Sequence, residues 1–184
     1  AIAVATAILM WPLSLLPPIQ RLPEINDVTT DTANPPAFTT LADNRPAGAQ
    51  PPNYNPAFSE IQREVYPDLR TLSVNRDAAE VLTLADQTLR RLRMEVVREE
   101  PPTRDNGNVG YVEAIDRTLV IGFRDDVVIR VAGSGRRALV DVRSASRFGR
   151  HDLGRNAQRV REVLRALIER LKSTVPEQRR SRGS

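Results

Sequence analysis

The stretch Asp141–Asn156, DVRSASRFGRHDLGRN, decides how the chain is organised. Its first part continues an alternating pattern in which Ala138, Val140, Val142 and Ser144 share one face of a strand, and Asp141, Arg143 and Arg147 share the other. From Asp152 the period changes. Leu153, Ala157, Val160, Leu164, Leu167 and Leu171 recur at steps of three and four, the spacing of an amphipathic helix. Asp152 is its predicted N-cap. The opposite side carries Arg155, Arg159, Arg161, Glu162, Arg165 and Glu169, which read as a solvated face. A strand therefore runs through an arginine-rich loop into a helix start, where backbone N–H groups lack intrahelical partners.

Upstream, Leu69–Val74 reads as a strand and Asp77, with Glu80 three residues on, as a helix start. Ala78, Val81, Leu82, Ala85, Leu89 and Leu92 form one apolar stripe. Met94–Glu99, Val109–Asp116, Thr118–Phe123 and Val127–Val131 read as further strands, with Arg124-Asp125-Asp126 and Gly133-Ser134-Gly135 as turns. The expected class is α+β: an antiparallel sheet of about five to six strands, in the order β-α-β-β-β-β-α, with two helices on one face. The folded domain spans 69–172. The other sheet face is left for a partner, an apolar ligand or the chain's own proline-rich segment, and its charges are either wet or netted with Arg130.

The first 68 residues differ from this domain. Ala1–Leu16, AIAVATAILMWPLSLL, carries no charge and suggests the end of a transmembrane helix, with Trp11 at the interface and Pro12, Pro17 and Pro18 stopping it. A signal-peptide core and a buried core helix are the competing readings. Ten of the 14 prolines lie in the first 56 residues, so 17–68 is expected to be an extended arm. Ile25, Val28, Phe38, Tyr54, Phe58, Ile61 and Tyr66 would anchor parts of it on the domain. A disordered basic tail is expected over 173–184.

Net charge is +4, unevenly placed: from Arg136 onward there are 14 basic against 5 acidic residues. Lys172 is the only lysine. A basic region can meet nucleic acid, acidic lipid or an acidic protein. Nucleic acid is disfavoured because no aromatic residues are interleaved as stacking platforms. With no cysteine and one histidine, no metal site is expected. Neither a P-loop nor a dinucleotide fingerprint is present, so no cofactor is expected.

One candidate site emerges. Arg143, Arg147 and Arg150, with the N–H groups near Gly154 and Arg155, would cradle a phosphate, sulfate or carboxylate. Against it stands a bracing role, in which Arg143 and Arg147 pair with Asp125, Asp126 or Asp141, while Arg130 and Asp152 complete a structural network. A hydrolytic set of Ser144 or Ser146, His151 and Asp152 is weaker, since it lacks a nucleophile elbow and Asp152 is committed to the helix cap.

The segments GFRDDVVIRV (Gly122–Val131) and DVRSASRFGRHDLGRNAQRV (Asp141–Val160), with INDVTTDTANPPAF (Ile25–Phe38) and YPDL (Tyr66–Leu69), resemble the bacterial and plastid domain-of-unknown-function family 1499. The resemblance covers roughly residues 25–172. It implies a domain often preceded by membrane helices and brings no established activity. The family pattern has Ser at the position of His151, which sets His151 apart from any shared catalytic role. The expected function is thus a non-enzymatic, membrane-tethered module at the bacterial inner membrane, with its domain outside the cytoplasm. It would bind an envelope protein, an anionic lipid or a small anionic ligand. The alternative is an enzyme acting on an envelope lipid or phosphoester through the arginine-rich loop.

Overall fold

Ten residues of alternating pattern, Arg137–Ser146, form β6, the strand around which the sheet is assembled. The structure, a computed structural model, describes residues 22–117 and 124–174. In chain order these give β1 (Asp27–Thr29), α1 (Thr40–Asp43), α2 (Phe58–Val65), β2 (Leu72–Val74), α3 (Ala78–Arg91), β3 (Glu95–Glu100), β4 (Val109–Arg117), β5 (Arg124–Ser134), β6 and α4 (Arg155–Ser173). The protein is α+β. Its six-stranded sheet has the order β1-β6-β5-β4-β3, with β2 sharing the β1 side of β6. Every pairing is antiparallel.

Helices α3 and α4 lie together on one face, packed on β4, β5 and β6. Val81, Leu82, Ala85 and Leu89 of α3 and Val160, Val163 and Leu167 of α4 meet Val112, Ile129, Val131, Val140 and Val142 of the sheet. Each such aliphatic side chain contributes about 1.5–3 kcal/mol when fully buried. Asp77 caps α3, accepting from the Ala79 N–H at 3.0 Å.

The second face is not bare. Phe38 and Leu41, from the proline-rich segment, close over Ile115, Val128 and Ala145 in a smaller core. That segment, expected to be an extended arm lying in part on the domain, contributes β1 and two helices, α1 and α2. Helix α2 begins two residues after Pro56, where no further proline breaks the helical bonding. Its Gln62 is buried and grips β1 from both sides, accepting from the Thr29 N–H and donating to the Thr29 carbonyl.

Three sequence expectations need correction. Arg124-Asp125-Asp126 is no turn but the start of β5, and both aspartates are buried. The Asp-Asp pair suggested exposure, but each carboxylate is met by guanidinium groups from elsewhere in the chain. Asp152 is not the N-cap residue: α4 starts at Arg155, with Gly154 in the cap position at φ +77°. Leu153 consequently precedes the helix and is 54 % exposed, while Val163 takes the buried place. Arg159, assigned to the solvated face, is buried. The predicted strand Thr118–Phe123 and the apolar segment 1–16 lie outside the described residues, as does most of the C-terminal tail. Among the described residues no helix is long and apolar enough to cross a membrane.

Candidate functional site

Strand alternation sends the charges of β5 and β6 to opposite faces, and the two faces handle them differently. On the face covered by the proline-rich segment, Arg143 is 2 % exposed and ranks among the largest fully buried side chains. Its fork grips Asp27 of β1, with Nε–Oδ1 at 2.9 Å and Nη2–Oδ2 at 2.7 Å. The remaining donors reach the carbonyls of Pro36 and Pro52, at 2.9 and 2.7 Å. The guanidinium also lies 4.5 Å from the Phe38 ring centroid and 5.7 Å from that of Tyr54.

Neighbouring charges on this face are paired as well. Asp126 takes Arg147 on one oxygen at 2.8 Å and Arg45 on the other at 3.0 Å. Asp141 accepts from Arg130 at 2.7 Å and from the Thr30 and Thr71 hydroxyls. Arg130 also reaches Asp31 at 2.9 Å. Glu113 accepts from the Leu41 N–H, Thr39 and Arg98, so a buried β4 carboxylate secures the entrance of α1. Burial pushes the Asp27 and Asp126 carboxyls above their ordinary range and pulls the Arg45 guanidinium below its own, in each case against the opposing pull of the ion pairs.

The helix-side face holds a second network, centred on Asn156 and Arg159 one turn into α4. Asn156 accepts from Ser144 Oγ at 2.8 Å and donates to Ser146 Oγ at 3.0 Å and to the Asn26 carbonyl at 2.9 Å. Arg159 reaches Asp116 and Asp125 at 2.7 Å each, Ser144 at 3.0 Å and Asn156 at 2.7 Å. Asp125 and Ser146 are also part of the wall of a cleft of about 310 Å³ at the β6–α4 junction. Arg124 and Arg155, both exposed, stand on its rim with His151. So do Phe148 and Leu153, which are 48 % and 54 % exposed. Leu153 has φ +56°, a left-handed conformation that is uncommon for a bulky residue.

The five residues proposed from sequence as one anion cradle do not assemble. Arg143 and Arg147 face the proline-rich segment and are buried against carboxylates. Arg150 is exposed, with Glu24 3.9 Å away. Gly154 and Arg155 sit at the cleft and helix entrance. The helix start holds an anion already: Asp152 accepts from the Gly154 and Asn156 N–H groups at 2.8 Å each. Nor do the serines meet the histidine. The hydroxyls of Ser144 and Ser146 are bonded to Asn156, and His151 Nδ1 accepts from the Leu153 N–H at 2.9 Å.

Sequence reasoning missed Asp27, Arg45, Glu113, Asn156 and Arg159. Asn156 and Arg159 carried a usable signal, since they flank the Ala157–Val160 stripe and so border its buried side. The partners of Asp27 and Arg45 lie some eighty or more positions away, and nothing local announces them.

The model of the family described as a protein of unknown function (DUF1499) matches residues 27–167, and the chain belongs to that family. No curated protein matches. Among solved structures, CalU16 from Micromonospora echinospora is similar over 56 % of this chain and 82 % of its own, at 13 % identity and a TM-score of 0.29.

Proposed function

We propose that this DUF1499 member is a binding module, not an enzyme, that takes an anionic amphiphile in the cleft at the β6–α4 junction. The observation that carries the reading is the pairing of Phe148 and Leu153, exposed, with Arg124 and Arg155 around one cleft. An apolar lip beside two cations suits a molecule with an anionic head and a hydrocarbon part, such as an anionic lipid. Leu153 supports it further. An exposed leucine in a left-handed conformation costs stability twice, once in backbone strain and once in hydration, and such strain concentrates at ligand sites. The uncharged run Ala1–Leu16 would tether the module at a bacterial membrane, outside the cytoplasm, which brings the cleft near its ligand. Binding is favoured over turnover because the cleft's serine and histidine are committed to other partners.

A titration of the full chain in detergent-free buffer with dihexanoyl phosphatidylglycerol, dihexanoyl phosphatidylcholine and glycerol 3-phosphate tests this. The anionic lipid should bind tightest, since it alone offers both the charge and the chains. Removing both rim arginines (Arg124→Ala with Arg155→Ala) should weaken it at least tenfold, about 1.4 kcal/mol. Leu153→Gly should do so too while raising stability by up to about 1 kcal/mol, because glycine relieves the left-handed strain. Equal affinity for all three probes, or affinity untouched by these substitutions, would remove the proposal.

A further inference from the structure

The corner where β6 passes into α4 carries more on its outside than a cleft needs. The two most exposed large apolar side chains among the described residues, Phe148 and Leu153, both stand there. Arg150 lies between them in sequence, is 89 % exposed and takes no part in the cleft wall. With Arg124 and Arg155 it makes three exposed cations beside two exposed apolar groups. Glu24 is the exposed carboxylate nearby, 3.9 Å from Arg150. The other carboxylates of this corner are already held: Asp116 and Asp125 by Arg159, and Asp152 by the N–H groups of Gly154 and Asn156. The outward-facing charge is therefore cationic.

The polypeptide also enters the fold here. Asn26 Nδ2 donates to the Gly149 carbonyl at 2.6 Å, and the Asp152 N–H donates to the Ile25 carbonyl at 3.3 Å. Leu22 lies against Gly154, where an added Cβ would sit 3.6 Å from Leu22 Cδ2. In the sequence, residues 17–21 alone separate Leu22 from the uncharged run 1–16. Even fully extended, that connection reaches about 20 Å. A run buried in a bilayer would hold this corner within that distance of it. Neither the sequence before Leu22 nor the connection 118–123, which joins β4 to β5 at the same end of the sheet, contains an acidic residue. We infer that this corner is a docking surface for an anionic bilayer. Phe148 and Leu153 enter the headgroup layer, and Arg124, Arg150 and Arg155 meet lipid phosphates. The inference rests on the proposed membrane tether, but not on what the cleft takes up.

The chain has no cysteine, so a single introduced cysteine carries a nitroxide to one chosen position. Labels at Phe148→Cys and Leu153→Cys are compared with one at Ser134→Cys, which pairs with the first residue of β6 at the opposite end of the sheet. The full chain is reconstituted into vesicles of equal parts phosphatidylglycerol and phosphatidylcholine, or of phosphatidylcholine alone. Collisions of each label with oxygen and with a water-soluble nickel chelate are then measured. In the anionic vesicles the labels at 148 and 153 should be reached by oxygen and shielded from nickel, while the label at 134 stays open to nickel. Arg150→Glu should return the label at 148 to the water phase, yet weaken soluble lipid in the cleft less than loss of Arg124 and Arg155 does. Labels at 148 and 153 as open to nickel as that at 134, or no deeper in anionic than in neutral vesicles, would overturn the inference. The short-chain lipid titration separates the two readings: binding without docking leaves the cleft proposal standing alone, and docking without binding leaves this one.

Discussion

Replacing Arg143 with alanine is expected to cost about 3–5 kcal/mol of folding stability, the loss typical when one partner of a buried ion pair is removed. Three consequences add up at one position. The Asp27 carboxylate is left buried without its fork. The carbonyls of Pro36 and Pro52 lose their donor. The Phe38 and Tyr54 rings lose the cation between them. All these partners belong to the proline-rich segment, so the damage should be directional: the segment should detach before the α3–α4 side of the sheet melts. Urea unfolding gives the magnitude, and limited proteolysis between residues 30 and 56 gives the direction. A domain stable by about 5–15 kcal/mol would be left close to its threshold. The double variant Arg143→Met with Asp27→Leu should recover part of the loss, since no charge is then buried unpaired, but not all of it, because each orphaned proline carbonyl still costs about 1–3 kcal/mol. A loss below about 1 kcal/mol in Arg143→Ala would show that the pair is solvated and that the segment is held by its apolar contacts alone.

This arrangement explains what could and could not be read from the sequence. The sheet and both long helices were legible because period-two and period-3.6 patterns are local, and a core-facing stripe shows itself within a dozen residues. The order β-α-β-β-β-β-α followed from short connections. The candidate site was not legible, because its chemistry is made by pairing across long separations. The pairing of Arg147 with Asp126 is one of the bracing contacts expected from the sequence, but the partner of Arg143 in β1 is not. The two carboxylates come from β1 and β5, and the second arginine on Asp126 comes from just beyond α1. The segments that carry the family resemblance prove to be complementary parts of one interior. Asp27, Asp31, Pro36 and Phe38 of the first contact Arg143 and Arg130 of the others. Charged residues in a strand are usually read as its wet face, and here the covering layer is supplied by residues whose prolines suggested a tether. The cleft was half legible. Its position at the strand-to-helix junction was readable, but the burial of Arg159 depends on where α4 begins, and the aspartate two residues before Gly154 misplaced that start.

Arg159→Ala is the second substitution expected to cost about 3–5 kcal/mol, for the same electrostatic reason on the opposite face of the sheet. Asp125 is almost fully buried and Arg159 is its ion-pair partner among the described residues. Asp116, partly exposed, can fall back on water, so most of the loss should trace to Asp125. Lysine at position 159 keeps the charge but not the fork. One ammonium cannot span Asp116, Asp125, Ser144 and Asn156 together, so Arg159→Lys should fall between the wild type and alanine. Asp125→Asn in the Arg159→Ala background should restore stability relative to Arg159→Ala alone, because the unpaired charge is then gone. The consequence for function separates this network from the one around Arg143. Asp125 and Ser146 line the cleft, so loosening Arg159 should weaken the binding of the anionic short-chain lipid even below the melting transition. Arg143→Met with Asp27→Leu, if folded, should leave that binding nearly intact. Calorimetric titration of both variants well below their melting midpoints decides the matter. If lipid affinity were lost equally in the two, the cleft would be responding to global loosening, and the claim that Arg159 positions its wall would fail.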